Sequence, residues 1–286
     1  MKHHTFSRRS FLGIISAAPL AAAAPLALTA PAGEQIPVGL ELYSVRNALQ
    51  KHEMSTVRSV AKLGYQCVEF YSPYYEWKID YAKQVRMELD QLGIHCYSTH
   101  NDMQAFSEAG IGKTIELNHI LGARYVVLAS PGDEVKTVDD WKRVADRLNK
   151  ANETLASKEL HAGYHNHDAE WRPVEGQKPI EVLAANLDKS IVLQLDVGTC
   201  LETGNDPVAW IEKNPGRIRA MHLKDWSPQQ AYKVLFGEGV APWKKIFAAA
   251  ENGGGIEFYL IEQEGSRFPE METAQRCLRA YRAMRS

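Results

Sequence analysis

The sequence predicts an α/β chain built as a single (β/α)8 TIM barrel behind a separate N-terminal segment. Three observations carry this expectation. From residue 38 onward, a short apolar, β-rich run followed by a helix-like stretch recurs eight times. The runs start 29, 28, 30, 36, 30, 28 and 39 residues apart, which accommodates one strand, one crossover helix and two loops per unit. Polar residues sit at the ends of the runs throughout, and no glycine-rich phosphate loop follows the first run. An open doubly wound sheet is the alternative, and both of these last points favour the barrel.

Taken in order, the strands are expected at "VGLELYS" (from Val38), "CVEFY" (Cys67), "HCYSTH" (His95) and "YVVLAS" (Tyr125). They continue at "HAGYHNH" (His161), "IVLQLD" (Ile191), "RAMHLKD" (Arg219) and "FYLIEQ" (Phe258). The stretches between them read as helices. "STVRSVAKLG" offers Ser55 as a cap, apolar Val57, Val60, Ala61 and Leu63, and a terminal Gly64. "YAKQVRMELDQLG" and "KTIELNHILG" likewise stop at Gly93 and Gly122. "DPVAWIEKNPG" opens with Asp206 as a cap and Pro207 in the first turn.

The N-terminus differs in kind. "SRRSFLGIISAAPLAAAAPLALTA" pairs Arg8 and Arg9, continues as an apolar run and ends in small residues. These are the parts of an export signal, and the paired arginines before Phe11 and Leu12 resemble a twin-arginine signal. An uncleaved membrane anchor is the competing reading; Pro19 and Pro25 break the run and alanine dilutes it. The expected division is a signal over residues 1–32 and a barrel over residues 33–286, with no stable membrane anchor and a periplasmic location. Removing the signal deletes Lys2, Arg8 and Arg9 and no acid, taking the net charge from −2 to −5. That balance provides no broad basic face for nucleic acid. With 45% hydrophobic residues the chain can bury a substantial core. Cys67, Cys96, Cys200 and Cys277 match no zinc spacing. A Cys67–Cys96 bridge between neighbouring strands is one outcome, and buried free thiols are the favoured one.

Barrel chemistry belongs at the C-terminal ends of the strands. Strand five ends with His165 and His167, strand six with Asp196, strand seven with His222, Lys224 and Asp225, and strand eight with Glu262 and Glu264. Singly, each is an ordinary polar strand end or helix cap. Four successive strands bearing such groups can converge, because neighbouring strands lie only about 4.8 Å apart. His165, Asp196, His222 and Glu262 supply two imidazoles and two carboxylates. One divalent ion is expected there, with Mn, Co, Zn or Fe suiting the mixed donors better than Mg or Ca. Alternation puts Glu262 and Glu264 on one face; Glu262 is nearer the barrel layer and is taken as ligand, with Glu264 as the fallback.

"YHNHD", "QLDVG", "HLKD" and "FGEG" together resemble the sugar phosphate isomerase/epimerase family, the xylose isomerase-like barrels. The resemblance runs from "ELYSVR" to "IEQE" and implies a divalent ion held by one residue from each of strands five to eight, here His165, Asp196, His222 and Glu262. Many members present glutamate where this chain has His165, which lowers the ligand charge by one unit. The "YHNHD" form resembles a branch with lyases and hydratases acting on 3-keto-glycosides.

A divalent ion can polarise a sugar carbonyl and stabilise the enediolate left when the α-proton departs. His167 shares a face with His165 one pleat further out and is the expected base; the alternative is that it only supports a metal ligand from behind. Lys224 stands in the same relation to His222 and is the expected acid or oxyanion partner, against a plain salt bridge with Asp168 or Glu264. Glu41, Tyr43, Glu69, His100, Glu170 and Trp226 are the expected substrate contacts, and "YSPYYEW" offers further aromatic faces. Reprotonation gives isomerisation or epimerisation; loss of a β-substituent gives elimination. Export and the lack of a phosphate cradle point to an unphosphorylated small carbohydrate. A non-catalytic periplasmic sugar-binding protein and a DNA-repair endonuclease are the competing classes; the latter needs a basic DNA face and a richer metal set. The expected partners are the twin-arginine export machinery and an oxidoreductase that supplies a keto-sugar, with oligomerisation left open.

Overall fold

The computed structural model describes residues 36–286. The expected signal over residues 1–32 lies outside the described residues. All eight expected strands form: β1 (Val38–Glu41), β2 (Cys67–Phe70), β3 (His95–Asp102), β4 (Tyr125–Ser130), β5 (His161–His165), β6 (Val192–Asp196), β7 (Ala220–Leu223) and β8 (Phe258–Ile261). Sequential neighbours pair in parallel and β8 pairs with β1, which closes the barrel. Several strands stop short of the quoted runs, β5 at His165 and β7 at Leu223. Their polar ends leave the ladder to become the loops of the mouth.

The helices are α1 (Arg46–Lys51), α2 (Glu53–Leu63), α3 (Ile79–Leu92), α4 (Ile111–Leu121), α5 (Val138–Ala156), α6 (Pro179–Asn186), α7 (Val197–Glu202), α8 (Pro207–Lys213), α9 (Trp243–Ala249) and α10 (Glu270–Arg285). Gly64, Gly93 and Gly122 close α2, α3 and α4 in the left-handed conformation, at φ 99, 63 and 77°. Asp206 accepts from the Val208 amide at 2.9 Å and caps α8, with Pro207 in its first turn. Ser55 is not a cap. The α2 helix is already wound from Glu53, so the Ser55 hydroxyl donates back to the His52 carbonyl at 3.0 Å.

Alternation along the strands separates two apolar layers. Val68, Phe70, Leu193, Leu195, Met221, Leu223, Tyr259 and Ile261 face outward and pack with the helices in one large core. Each such fully buried side chain contributes about 1.5–3 kcal/mol. Cys67, Tyr125, Val127, Val192, Ala220, Phe258 and Leu260 alternate with them and fill the lower barrel interior. Gly39 also faces inward: a Cβ there would lie 2.4 Å from Cys67 Sγ and 2.6 Å from its carbonyl oxygen, so only hydrogen fits. All four cysteines are buried free thiols, and burial pushes the Cys67 thiol well above its ordinary pKa.

Candidate functional site

Continuing the inward register one or two residues toward the C-terminal ends replaces hydrocarbon by polar groups. Cys67 is followed on that face by Glu69, Val192 by Gln194 and Asp196, Ala220 by His222 and Lys224, and Leu260 by Glu262. One ligand atom from each of His165, Asp196, His222 and Glu262 lies within 4.8 Å of the others, and all four residues are buried. His222 Nδ1 is 2.7 Å from Glu262 Oε2, and His165 Nε2 is 3.9 Å from Asp196 Oδ2. Asp196 Oδ1 accepts from the Thr199 amide at 2.9 Å, while the Asn166 side chain braces the Asp196 amide at 3.1 Å and Thr199 Oγ1 at 2.9 Å. Asn166 therefore points into the barrel–helix layer and fixes the end of β6.

A cavity of about 280 Å³ opens above this cluster, lined by Glu41, Tyr43, Tyr71, Ser72, His100, Asn101, Asp102, Ala129, Ser130, His165, His167, Glu262 and Glu264. His167 is exposed on its wall, with its ring 4.9 Å from that of His165 and edge-on to it. Tyr43 and Tyr71 meet edge to face with centroids 5.3 Å apart, and the Arg46 guanidinium sits 4.5 Å from the Tyr43 ring. Arg46 donates to the Tyr43 carbonyl at 3.0 Å and to the Glu264 carbonyl at 2.8 Å, tying the β1 and β8 loops together.

Four expected residues stand elsewhere than the sequence suggested. Glu69 is fully buried beneath the cavity and serves the histidines rather than a ligand. Glu170 is buried on the other side of β5, where it accepts from Tyr164 Oη at 2.6 Å and from the His167 amide at 2.9 Å. It fixes the backbone that presents His167 and does not line the cavity. Trp226 is half-buried and outside the cavity lining; its amide donates to Asp225 Oδ1 at 2.9 Å and its carbonyl accepts from Val240 at 2.8 Å. Lys224 is 3% exposed and bonded to Glu264, with Nζ 3.5 Å from Asp196 Oδ2 and 3.8 Å from Glu262 Oε1. The Tyr232 ring covers it, with Nζ 4.6 Å from the centroid. The Glu264 salt bridge considered as its bland alternative is present, and the ammonium compensates carboxylates instead of entering the cavity.

The charges follow from this packing. Burial alone would lower the His222 pKa, yet hydrogen bonds to Glu262 and Glu69 push it up to about 10. Burial would raise Glu262, but Lys224 and His222 hold it well below the carboxylate range. Burial also opposes ionisation of Glu69, and His100 and His222 outweigh it to hold the group at about 2. Lys224 overcomes burial through Glu262, Asp196 and Glu264 and is raised well above its ordinary value, so it is a firm cation. His165 is driven well below its ordinary value by burial and by surrounding His222, His100, His167 and Lys224; it is a neutral electron-pair donor. Burial and then Glu69 raise the Glu41 carboxyl well above its ordinary value.

These residues fit a divalent ion. His165 is neutral and keeps a buried Nδ1 without a hydrogen-bond partner, and Asp196 keeps a buried Oδ2 in the same condition. Two imidazoles and two carboxylates form a donor set for a borderline transition metal. His100, His165 and His222 form a second close group, and Glu41, Glu69 and His222 a third, both sharing His222.

Ser98 and Gln194, which sequence reading missed, bond to Glu69 inside the barrel. Their inward register with His100 and Asp196 is the signal that could have found them. The "HLKD" and "FGEG" motifs form one device. Asp225 accepts from the amides of Gly237 at 2.9 Å, Gly239 at 3.2 Å and Ala241 at 3.3 Å, and from Trp243 Nε1 at 2.9 Å. A Cβ on Gly239 would collide with Asp225 Oδ1 at 2.1 Å, which explains that glycine.

A parallel barrel with carboxylates and imidazoles from four consecutive strands at its C-terminal mouth defines a class of (β/α)8 proteins built for chemistry at that end. Residues 57–284 match the family model described as Xylose isomerase-like TIM barrel, and the chain belongs to that family. It is 24% identical over 176 residues to an inosose dehydratase of Geobacillus thermodenitrificans (strain NG80-2), covering 50% of this chain and 58% of the relative. The chain thus spans little more than half the length of that relative. The crystal structure of a sugar phosphate isomerase/epimerase from Parabacteroides distasonis ATCC 8503 superposes with a TM-score of 0.74 at 23% identity, covering 88% of this chain and 96% of that one. The structure of IOLI protein with a binding zinc atom gives a TM-score of 0.65 at 14% identity, covering 86% of this chain and 96% of that one. At these identities the two structures share the fold.

Proposed function

We propose that this protein is a divalent-metal-dependent sugar isomerase/epimerase-type enzyme that acts through an enediolate on an unphosphorylated small carbohydrate. The observation that carries the reading is the convergence of His165, Asp196, His222 and Glu262 directly under a cavity with His167 on its wall. When bound there, a divalent ion would polarise the substrate carbonyl and offset the charge that develops as the α-proton leaves. His167 accepts that proton, on a backbone held by Glu170. Glu262 is kept ionised by Lys224 and His222, and Asp196 is held in place by the Thr199 amide and by Lys224. Tyr43 and Tyr71 present apolar surface to the sugar ring, and His100 and Glu41 present polar groups to its hydroxyls. Among the described residues no Lys or Arg lines the cavity, whereas Glu41, Asp102, Glu262 and Glu264 do, so a phosphate would meet acidic side chains.

A second outcome is elimination, in which the same proton abstraction is followed by loss of a β-substituent, as from a 3-keto-glycoside. The inosose dehydratase likeness favours it. The zinc in the IOLI structure supports a metal of the transition series. The N-terminal sequence supports export to the periplasm through the twin-arginine machinery, where an oxidoreductase would supply the keto-sugar. The test is incubation of keto-sugars and glycosides with metal-loaded protein in deuterated water. Solvent deuterium at the α-carbon, or an elimination product, is expected. Its absence across a broad panel, with sugar binding retained, would turn the reading to a binding protein.

A further inference from the structure

Glu69 is the centre of a buried hydrogen-bond network. Its Oε1 accepts from Ser98 Oγ and, at 2.9 Å, from Gln194 Nε2. Its Oε2 lies 2.7 Å from His222 Nε2 and 3.1 Å from His100 Nε2. Gln194 Oε1 is 2.6 Å from the same His100 Nε2. An ionised carboxylate only accepts, so every group that meets it must donate. Gln194 therefore turns its NH2 to Glu69, which leaves its carbonyl oxygen toward His100. His100 Nε2 faces two acceptors and must carry hydrogen, as must His222 Nε2. The second nitrogen of each ring is thereby the one left to function. For His222 that is Nδ1, beside Glu262 at 2.7 Å. For His100 it is Nδ1, which makes no hydrogen bond among the described residues, on a ring that lines the cavity.

We propose that Glu69 is a positioning residue that sets the tautomers of two histidines at once, so that His222 offers Nδ1 to the metal cluster and His100 offers Nδ1 to the cavity as an acceptor for a substrate hydroxyl. The proposal rests on the carbohydrate reading of the cavity only for the identity of the group His100 receives. The outer carboxylate behind a ligating imidazole is a general device; here one carboxylate serves a ligand and a pocket residue together, directly and through Gln194.

Glu69→Gln tests it, because the amide must turn an N–H toward one of the converging donors. Gln194 then flips, offers His100 an N–H, and His100 takes up the Nδ1–H form. The readout is 15N imidazole NMR of metal-free protein at mildly alkaline pH, together with zinc affinity by competition against a chelator. Expected are an Nε2–H signature for His100 in the wild type, a change to Nδ1–H in Glu69→Gln, and a loss of zinc affinity of about 10–100-fold. The wild-type spectrum keeps the test open if Glu69→Gln does not fold, and Gln194→Leu is its control: it removes the relay but leaves Glu69 Oε2 3.1 Å from His100 Nε2, so the Nε2–H form and zinc affinity should both stay near wild type. Ser98→Ala should change neither. An Nδ1–H tautomer in the wild type or in Gln194→Leu, or an Nε2–H tautomer that persists in Glu69→Gln, would overturn the proposal. Failure of the functional reading would show separately, as absent turnover with these signatures intact.

Discussion

His222 Nδ1 and Glu262 Oε2 lie 2.7 Å apart, so a single proton occupies the space between two of the four candidate metal ligands. With the His222 pKa pushed up to about 10, that proton is present at neutral pH in the metal-free protein. A divalent ion taking both residues as ligands must displace it. Metal affinity should therefore rise with pH below about 10, by about tenfold per pH unit for one proton released. Isothermal titration in buffers of different ionisation enthalpy measures the proton count, and a count of zero would sink the assignment.

The same pair predicts the stability of the metal-free form. His222 has a folded pKa above its unfolded value of about 6.5, so its contribution is complete below that value and is lost as pH rises through about 10. Glu69 has a folded pKa of about 2, below its unfolded value of about 4.3, so its contribution is present above the latter and is lost as pH falls through about 2. The melting temperature of metal-free protein should fall between mildly acidic and strongly alkaline pH, and His222→Gln should flatten that slope.

Lys224 compensates Asp196, Glu262 and Glu264. Replacing it with methionine leaves buried carboxylates unpaired and should cost about 3–5 kcal/mol in metal-free protein. Divalent metal supplies the missing positive charge. Thermal melts should show Lys224→Met gaining more from added zinc than the wild type does; equal gains would argue that Lys224 is electrostatically remote from the centre.

His167 and Glu170 separate chemistry from support. His167→Ala should lower α-proton exchange by about 10²–10⁴-fold with metal content unchanged. Glu170→Gln should keep the metal and lose about 1–3 kcal/mol, because one of the two carboxyl oxygens that accept from Tyr164 Oη and the His167 amide becomes an NH2. Quenched-flow exchange, metal analysis and chemical denaturation distinguish the two.

Asp225 gathers Gly237, Gly239, Ala241 and Trp243. Asp225→Ala should destabilise the protein by about 1–3 kcal/mol or more, since the buried Trp243 Nε1 and three partly buried amides lose one acceptor together. Hydrogen exchange should localise the loosening to residues 226–241, and protection unchanged there would refute this account of the motif.

The order and spacing of strands were legible in the sequence because each βα unit repeats a local hydrophobic pattern that does not depend on distant contacts. Period-two alternation likewise placed His165, Asp196, His222 and Glu262 on one face, and the closed parallel sheet brings them together. What only the tertiary structure decided was the side of β5 on which Glu170 packs, the partners of Lys224, and the work of Glu69. Glu170 lies in a turn beyond the strand, where alternation no longer predicts direction. Lys224 is committed by Glu264 and by Tyr232, which reaches it from a loop hung on Asp225. Glu69 meets His222 from 153 residues away, across the barrel interior, and that contact exists only once the sheet has closed. Local pattern determines which face a side chain takes; the closure of the barrel determines which charges and hydrogen bonds it finds there.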